Sequence, residues 1–489
     1  MAWTQGIALA FALLLAGTAG TGVASAGTND VDDHVRLETG TLEDWGGGDY
    51  VALNMTQNGT LAFFGVVYGT EEYPNAIVLV SAYIQYLGGA EVVDEHGGLM
   101  AAALPIPVLT AHAQVLAFLV EFNDTGYPAP GGRVGAGNGL FDFSRTGSGL
   151  EDFDLTATEP LYKAVDLRRA WERSEITEVE KNDHMKSWEF ALTTRDALYT
   201  RIWDNGEPVE GELGREGTPA DGVVEKVEFR FHVGVDVTPE NVQVPWYRVT
   251  LGEDNEILDS KEVGKKLYKG VGLQADFKYD HLIQGWDFTA KSESSRLMLE
   301  SFIGFGTFVP DIVQRWMDVE FGAGYMDDYS VAEVETFTGG PEDLAGVDDI
   351  PDEATLLTKD AIVFKDRWHK NGEVSWVSDV EVDGKPDKMA FQIHAGDVDV
   401  MERGENDDGA FHGAVLVGGY IYPAGEDLFH DPAFTASAVI VDIRVELGLL
   451  PLLVLAAAVA SVVLIAGIGA ALVAVRRRER ALAPGYGVT

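Results

Sequence analysis

The chain contains no cysteine. Disulfides, thiolate metal sites, cysteine nucleophiles and thiol redox chemistry are all excluded, and an exported fold would stand on its core alone. Basic residues are scarce: 35 Lys and Arg face 79 Asp and Glu, for a formal net charge of −44. The phosphates of duplex nucleic acid would meet that surface repulsively, so nucleic acid is not an expected partner. A G-x-S-x-G elbow, an H-E-x-x-H pair and a Walker-type loop are missing, which removes common signatures of hydrolysis and nucleotide binding. The short H-x-H and H-x-x-x-H spacings of metal sites are also absent, and no internal repeat recurs at a fixed period.

Long apolar runs are few, and one dominates. Leu447 to Val475 is uninterrupted and is followed at once by Arg476, Arg477, Arg478 and Arg480. This pattern predicts a membrane anchor with a positive-inside flank and a short cytoplasmic tail, 476–489. Gly6 to Ala16 is a short apolar core before Ala24-Ser25-Ala26, which reads as a signal peptide over 1–26. Together they predict a type I single-pass protein of the plasma membrane with its N-terminal part outside. The tail carries +3, and neither leader nor anchor holds a charged side chain, so the outer part carries −47.

Such a charge repels itself in dilute buffer, whereas molar salt shortens the Debye length to roughly 3 Å. Yet the chain is 46% hydrophobic and 10% aromatic, too apolar for a disordered acidic tail. A folded, acidic protein of this kind resembles the proteins of extreme halophiles in composition. Three N-x-S/T triplets, at Asn54, Asn58 and Asn123, are glycosylation candidates and are expected in surface loops.

Strand patterns prevail, and the expected fold is mainly β: two or three stacked sandwich-like domains with one or two short helices, plus the C-terminal transmembrane helix. The segments read as an N-terminal domain over 27–150, a central one over 151–335, an acidic linker over 336–353 and a membrane-proximal domain over 354–446. Val227, Phe229, Phe231 and Val233 alternate with Glu228, Arg230 and His232, the pattern of a half-buried strand. Apolar runs at 61–68 and 76–83 flank a turn at 71–75, and 185–202 is expected to pair with 223–251. Pro310 is expected to open a helix over about 310–318, and a second helix is possible at 160–173. The apolar stretch 99–122 holds Pro105, Pro107, His112 and Gln114; two buried strands around a proline turn fit it better than a second membrane span.

Candidate chemistry is dispersed. His394, His412 and His430 would form a zinc or copper site if three neighbouring strands brought them together, giving a metal-dependent envelope enzyme or an electron-transfer partner. Asn123, Asp124 and Asp142 bracket a glycine-rich loop suited to structural Ca²⁺. The uncharged run 301–309 reads as a buried strand or, if exposed, as the contact segment of a viral or vesicle spike. Lys261, Lys265, Lys266 and Lys269 are the basic cluster outside the tail. They would dock an acidic neighbour or polyanionic glycan, or sit in a solvated turn paired with Asp259 and Glu262. The expected role is a non-catalytic cell-surface or envelope protein that binds or supports another extracytoplasmic component, an envelope protein or a glycan, with the bilayer as its other partner.

Overall fold

The computed structural model describes residues 31–42, 47–57, 60–124, 143–146, 154–157, 161–201, 203–204, 207–208, 219–252, 256–289, 294–321, 330–336, 339–342, 355–357, 361–366, 370–395, 402–403 and 409–441. The expected leader, anchor and tail lie outside them. Among the described residues no helix is long and apolar enough to cross a membrane.

The described chain is mainly β and almost entirely antiparallel, with twenty-eight strands, β1–β28 in chain order. One run of strands pairs successively: β1 (Val35–Thr41), β2 (Asp49–Gln57), β3 (Thr60–Tyr68), β4 (Ile77–Asp94) and β5 (Leu99–Asn123). It continues through β16 (Ser295–Pro310), β26 (Gly409–Pro423) and β24 (Ala390–Ala395). A second run holds β11 (Met185–Arg201), β14 (Pro219–Leu251) and β15 (Ile257–Gln284). Along β15, β27 (Asp427–His430) pairs with 281–284 and β28 (Pro432–Val441) with 270–278; β28 in turn pairs with β21 (Lys370–Trp376). β8 (Leu161–Asp166) links β5 to β11, and β14 runs parallel to β4.

The two runs pack face to face in a sandwich-like arrangement. Phe64 of β3 stacks on Phe277 of β15 at 5.9 Å, and inward residues of both runs form one large buried cluster. The period-two pattern of β14 is the cause: Val227, Phe229, Phe231 and Val233 are buried, while Arg230 and His232 face water. Burying one such aromatic contributes roughly 1.5–3 kcal/mol. A second, smaller core lies apart from this. The ends of β4, β5, β14 and β15 bury Val92, Ile106, Tyr247, Val249 and Ile257 under the helix Asp311–Phe321, which supplies Val313, Trp316 and Met317. Trp316 packs edge-on against Tyr247 at 4.8 Å and its indole N–H donates to Ser260 Oγ at 2.9 Å. We refer to this part as the distal lobe.

Several local expectations are corrected. Residues 99–123 form one continuous strand rather than two strands around a turn. Pro105 and Pro107 are tolerated where, among the described residues, β5 pairs with β4 alone, because β16 joins only from Leu109 onward and one side of the strand needs no N–H donors there. The possible helix at 160–173 is instead β8 followed by irregular chain and the short β9 (Glu172–Arg173). Its apolar residues Leu161, Ala164 and Val165 fit helical spacing, but pairing with β5 and β11 decides the matter. The helix expected from Pro310 begins one residue later, at Asp311. Part of the acidic stretch is strand: β17 (Ser330–Thr336) pairs with β18 (Gly339–Glu342) and with β20 (Ala361–Asp366).

Candidate functional site

The inward and outward faces of β15 carry the two clusters of polar chemistry that stand out. Alternation along Phe277-Lys278-Tyr279-Asp280-His281 sends Tyr279 and His281 into the core and Lys278 and Asp280 outward.

Inside, three side chains close a ring of hydrogen bonds between the layers. Tyr279 Oη donates to Gln114 Oε1 at 2.7 Å, Gln114 Nε2 donates to Tyr420 Oη at 3.4 Å, and the two phenol oxygens lie 2.9 Å apart. Burial raises both phenols, Tyr420 to about 12 and Tyr279 well above its usual value, so both stay neutral. Beside them Tyr422 Oη sits between two imidazoles, 2.8 Å from His281 Nδ1 and 3.1 Å from His430 Nδ1. Burial also pushes both histidines down, His430 to about 4, so each carries a single ring proton.

The proton positions then follow. His430 Nε2 lies 2.8 Å from the carbonyl of Val377, which can only accept, so the proton is on Nε2. His430 Nδ1 therefore accepts from the Tyr422 hydroxyl, whose oxygen accepts from His281 Nδ1–H. His281 Nε2 is left as a bare lone pair, buried, with no partner among the described residues. Leaving such an acceptor unpaired costs roughly 1–3 kcal/mol.

Outside, a cleft of about 560 Å³ opens on β11, β14 and β15, lined by Ser174, Glu189, Arg230, His232, Lys278 and Asp280 among others. Phe190 and Phe231 border it too, but their rings turn to the core side of the same strands, where they stack 4.9 Å apart. Cross-strand register aligns Glu189 with His232 and His232 with Lys278, while Arg230 is opposite Asp280. His232 Nδ1 lies 3.0 Å from Glu189 Oε1, and Arg230 Nε donates to Glu228 Oε1 at 2.6 Å. Burial works to raise Glu228, but hydrogen bonds from Lys226 and Arg230 outweigh it and hold its carboxyl low. Lys278 Nζ lies 2.7 Å from Asp431 and 3.8 Å from Asp280. Burial and the negative charge of Asp431 raise the Asp280 carboxyl; burial disfavours the Lys278 cation, but the two acids more than compensate and raise it. The terminal guanidinium nitrogens of Arg230 and Nε2 of His232 have no partner among the described residues. The cleft therefore offers the terminal guanidinium nitrogens of Arg230 and Nε2 of His232 to an incoming group, beside a Lys278 already held by Asp431 and Asp280.

The sites expected from sequence are placed as follows. His430 is brought to His281, with ring centroids 5.6 Å apart, and both its nitrogens are engaged. His394 lies in β24, at an irregularity in its pairing with β26, and His412 lies in β26 opposite Thr307. Among the described residues no three metal-ligating side chains gather. Asn123 and Asp124 end β5; Asn123 contacts Tyr162 and Ser294, Asp124 lies 3.8 Å from Arg296, and Asp142 lies outside the described residues.

Asn54 is buried within β2 and donates to Glu38 at 2.7 Å, so it is not in a surface loop; Asn58 lies outside the described residues. Residues 301–309 are the later part of β16, paired with β26 throughout and with β5 as far as Phe308. Trp188, Trp246, Trp286, Trp316 and Trp376 are all buried. The lysine cluster is not in a turn: it lies along β15.

Sequence reasoning passed over His281, Tyr279 and Tyr420. The alternation of 275–283 was available to place Tyr279 and His281 inward, but their partners come from strands far away in sequence. In comparison with known proteins, no family model, no curated protein and no solved structure matches the chain.

Proposed function

We propose that this is a non-catalytic cell-surface protein of a halophilic organism, exported by residues 1–26, held by a transmembrane helix at Leu447–Val475 and binding another component of the envelope. Its outer part would be sandwich-like, a reading supported by the buried cluster in which inward residues of both runs of strands meet. The cleft on β11, β14 and β15 is its binding site, and the ligand group is a carboxylate or similar anion of an acidic glycan.

One observation carries this: uncommitted donors of Arg230 and His232 stand beside Lys278 in a cleft, in a chain of net charge −44. A guanidinium fork recognises a carboxylate with two parallel hydrogen bonds. Glu228 holds Arg230 in place, Asp431 and Asp280 hold Lys278, and molar salt screens the rest of the surface.

The test is binding of an oligogalacturonate probe to the full-length protein in molar KCl. Arg230→Ala and Lys278→Ala should each weaken it by about tenfold, the scale of one charge-assisted hydrogen bond. Unchanged affinity in both variants, or no binding by the unaltered protein, would sink the proposal.

A further inference from the structure

The distal lobe has an edge that no strand among the described residues covers. Along β15, residues 270–278 pair with β28 and 281–284 with β27, but 257–269 have a strand partner only in β14 among the described residues. Lys261 through Leu267 are all exposed. Lys261 and Lys265 make no ion pair among the described residues, and Lys266 Nζ lies 3.2 Å over the Trp246 ring. The register with β14 skips Leu258 and Val263, so both are bulges, and they are 50% and 45% exposed. Leu267 is 66% exposed. Six of the nine large apolar residues exposed in the described chain belong to the lobe or its stem, three of them on this edge. The three lysines outnumber the exposed Asp259 and Glu262 along it, and an apolar, net basic strip is out of place on so acidic a protein unless something covers it.

The occupant is indicated by where the chain goes next. Val441, the last residue of β28, is paired with Gly270, on the same edge of β15 that has no further strand partner down to Ile257 among the described residues. Five residues separate Val441 from Leu447, where the apolar run begins. Even fully extended they reach only about 20 Å. The nine residue steps of β15 from Gly270 to Lys261 span about 30 Å. The start of the anchor and the lysine strip are thus held within one headgroup region's reach of each other. Lysines and bulges also bar another strand from adding to this edge, which argues against a second copy docking there.

We infer that the β15 edge lies along the surface of the bilayer, with Lys261, Lys265 and Lys266 against anionic headgroups and Leu258, Val263 and Leu267 dipping into the interface. The inference rests on the proposed anchor at Leu447–Val475. Short apolar insertions survive molar salt, and lysines contribute contact pairs at distances that screening leaves intact.

The test uses the full chain in vesicles, in molar KCl. Because the protein has no cysteine, Leu267→Cys creates a single thiol for a fluorophore, at an exposed position that leaves the core untouched. Leu198→Cys, exposed and paired with Val223 near the opposite end of β14, is the control. In phosphatidylglycerol vesicles bearing a headgroup quencher, the label at 267 should be quenched severalfold more than the label at 198. Lys261→Glu, Lys265→Glu and Lys266→Glu together should abolish the difference. Equal, weak quenching at both sites, in protein that resists alkaline carbonate extraction, overturns the edge contact and leaves the anchor standing. Release by carbonate removes the anchor and the contact with it. Equal quenching at 267 in phosphatidylcholine vesicles overturns the role given to anionic headgroups.

Discussion

Single buried ionisable groups set the pH response of this core, and two of them act in opposite directions. Glu300 stands in the middle of β16, fully buried, and its Oε2 has no hydrogen-bond partner among the described residues. Burial raises its carboxyl to about 7 from the usual 4.5. The folded protein therefore keeps a proton that the unfolded chain releases, so this group's contribution is fully present below about 4.5 and is lost as pH rises through 7. His430, depressed to about 4 from 6.5, behaves oppositely: its contribution is intact above 6.5 and is lost as pH falls towards 4. Glu300→Gln removes the first effect and keeps the second. Relative to the unaltered protein, the variant should gain roughly 2 kcal/mol in unfolding free energy between pH 5 and pH 8. Denaturant unfolding at both pH values in constant high salt measures this, and parallel pH profiles for the two proteins would refute it.

At the scale of elements, the distal lobe is a unit with its own core, and Trp316 is its centre. The indole is buried against Tyr247 and bonded to Ser260, so Trp316→Ala removes both packing and a hydrogen bond. A loss of about 3–5 kcal/mol is expected, confined to the lobe. Amide exchange should accelerate at 90–108 and 246–260 while the buried residues of β11 stay protected; uniform acceleration throughout the chain would show that the lobe is no separate unit. How far such elements were legible depended on locality. The alternation in β14, the turn between β3 and β4, and the apolar stripe of the helix Asp311–Phe321 are local, and reading them needs no partner. The continuity of β5 was hidden because Pro105 and Pro107 look like breakers until the short reach of β16 is known. The candidate cleft was hidden for the same reason: Glu189, His232 and Lys278 form a row only through the register of three strands, and Asp431 joins Lys278 from a segment more than 150 residues later.

For the whole molecule, charge is the term that packing cannot cancel, because 35 basic residues cannot neutralise 79 acidic ones. Geometry makes the repulsion short-ranged and therefore sensitive to salt. Acidic residues on one face of a strand, such as Asp379 and Glu381 on the exposed face of β22 (Asp379–Val382), are spaced about 7 Å apart or less. That spacing lies inside the Debye length of about 10 Å at 0.1 M salt and outside the 3 Å of molar salt. Each such pair thus keeps about half of its repulsion at 0.1 M salt and about a tenth of it in molar salt. With stability normally only about 5–15 kcal/mol, many small repulsions are enough to consume it. The midpoint of thermal unfolding should therefore fall by tens of degrees between molar and 0.1 M KCl. Sucrose at equal osmolality strengthens burial without screening charge, so it should restore little of the loss. Full rescue by sucrose would assign the effect to solvent exclusion, and a midpoint independent of KCl would show that the fold tolerates its charge without help from the medium.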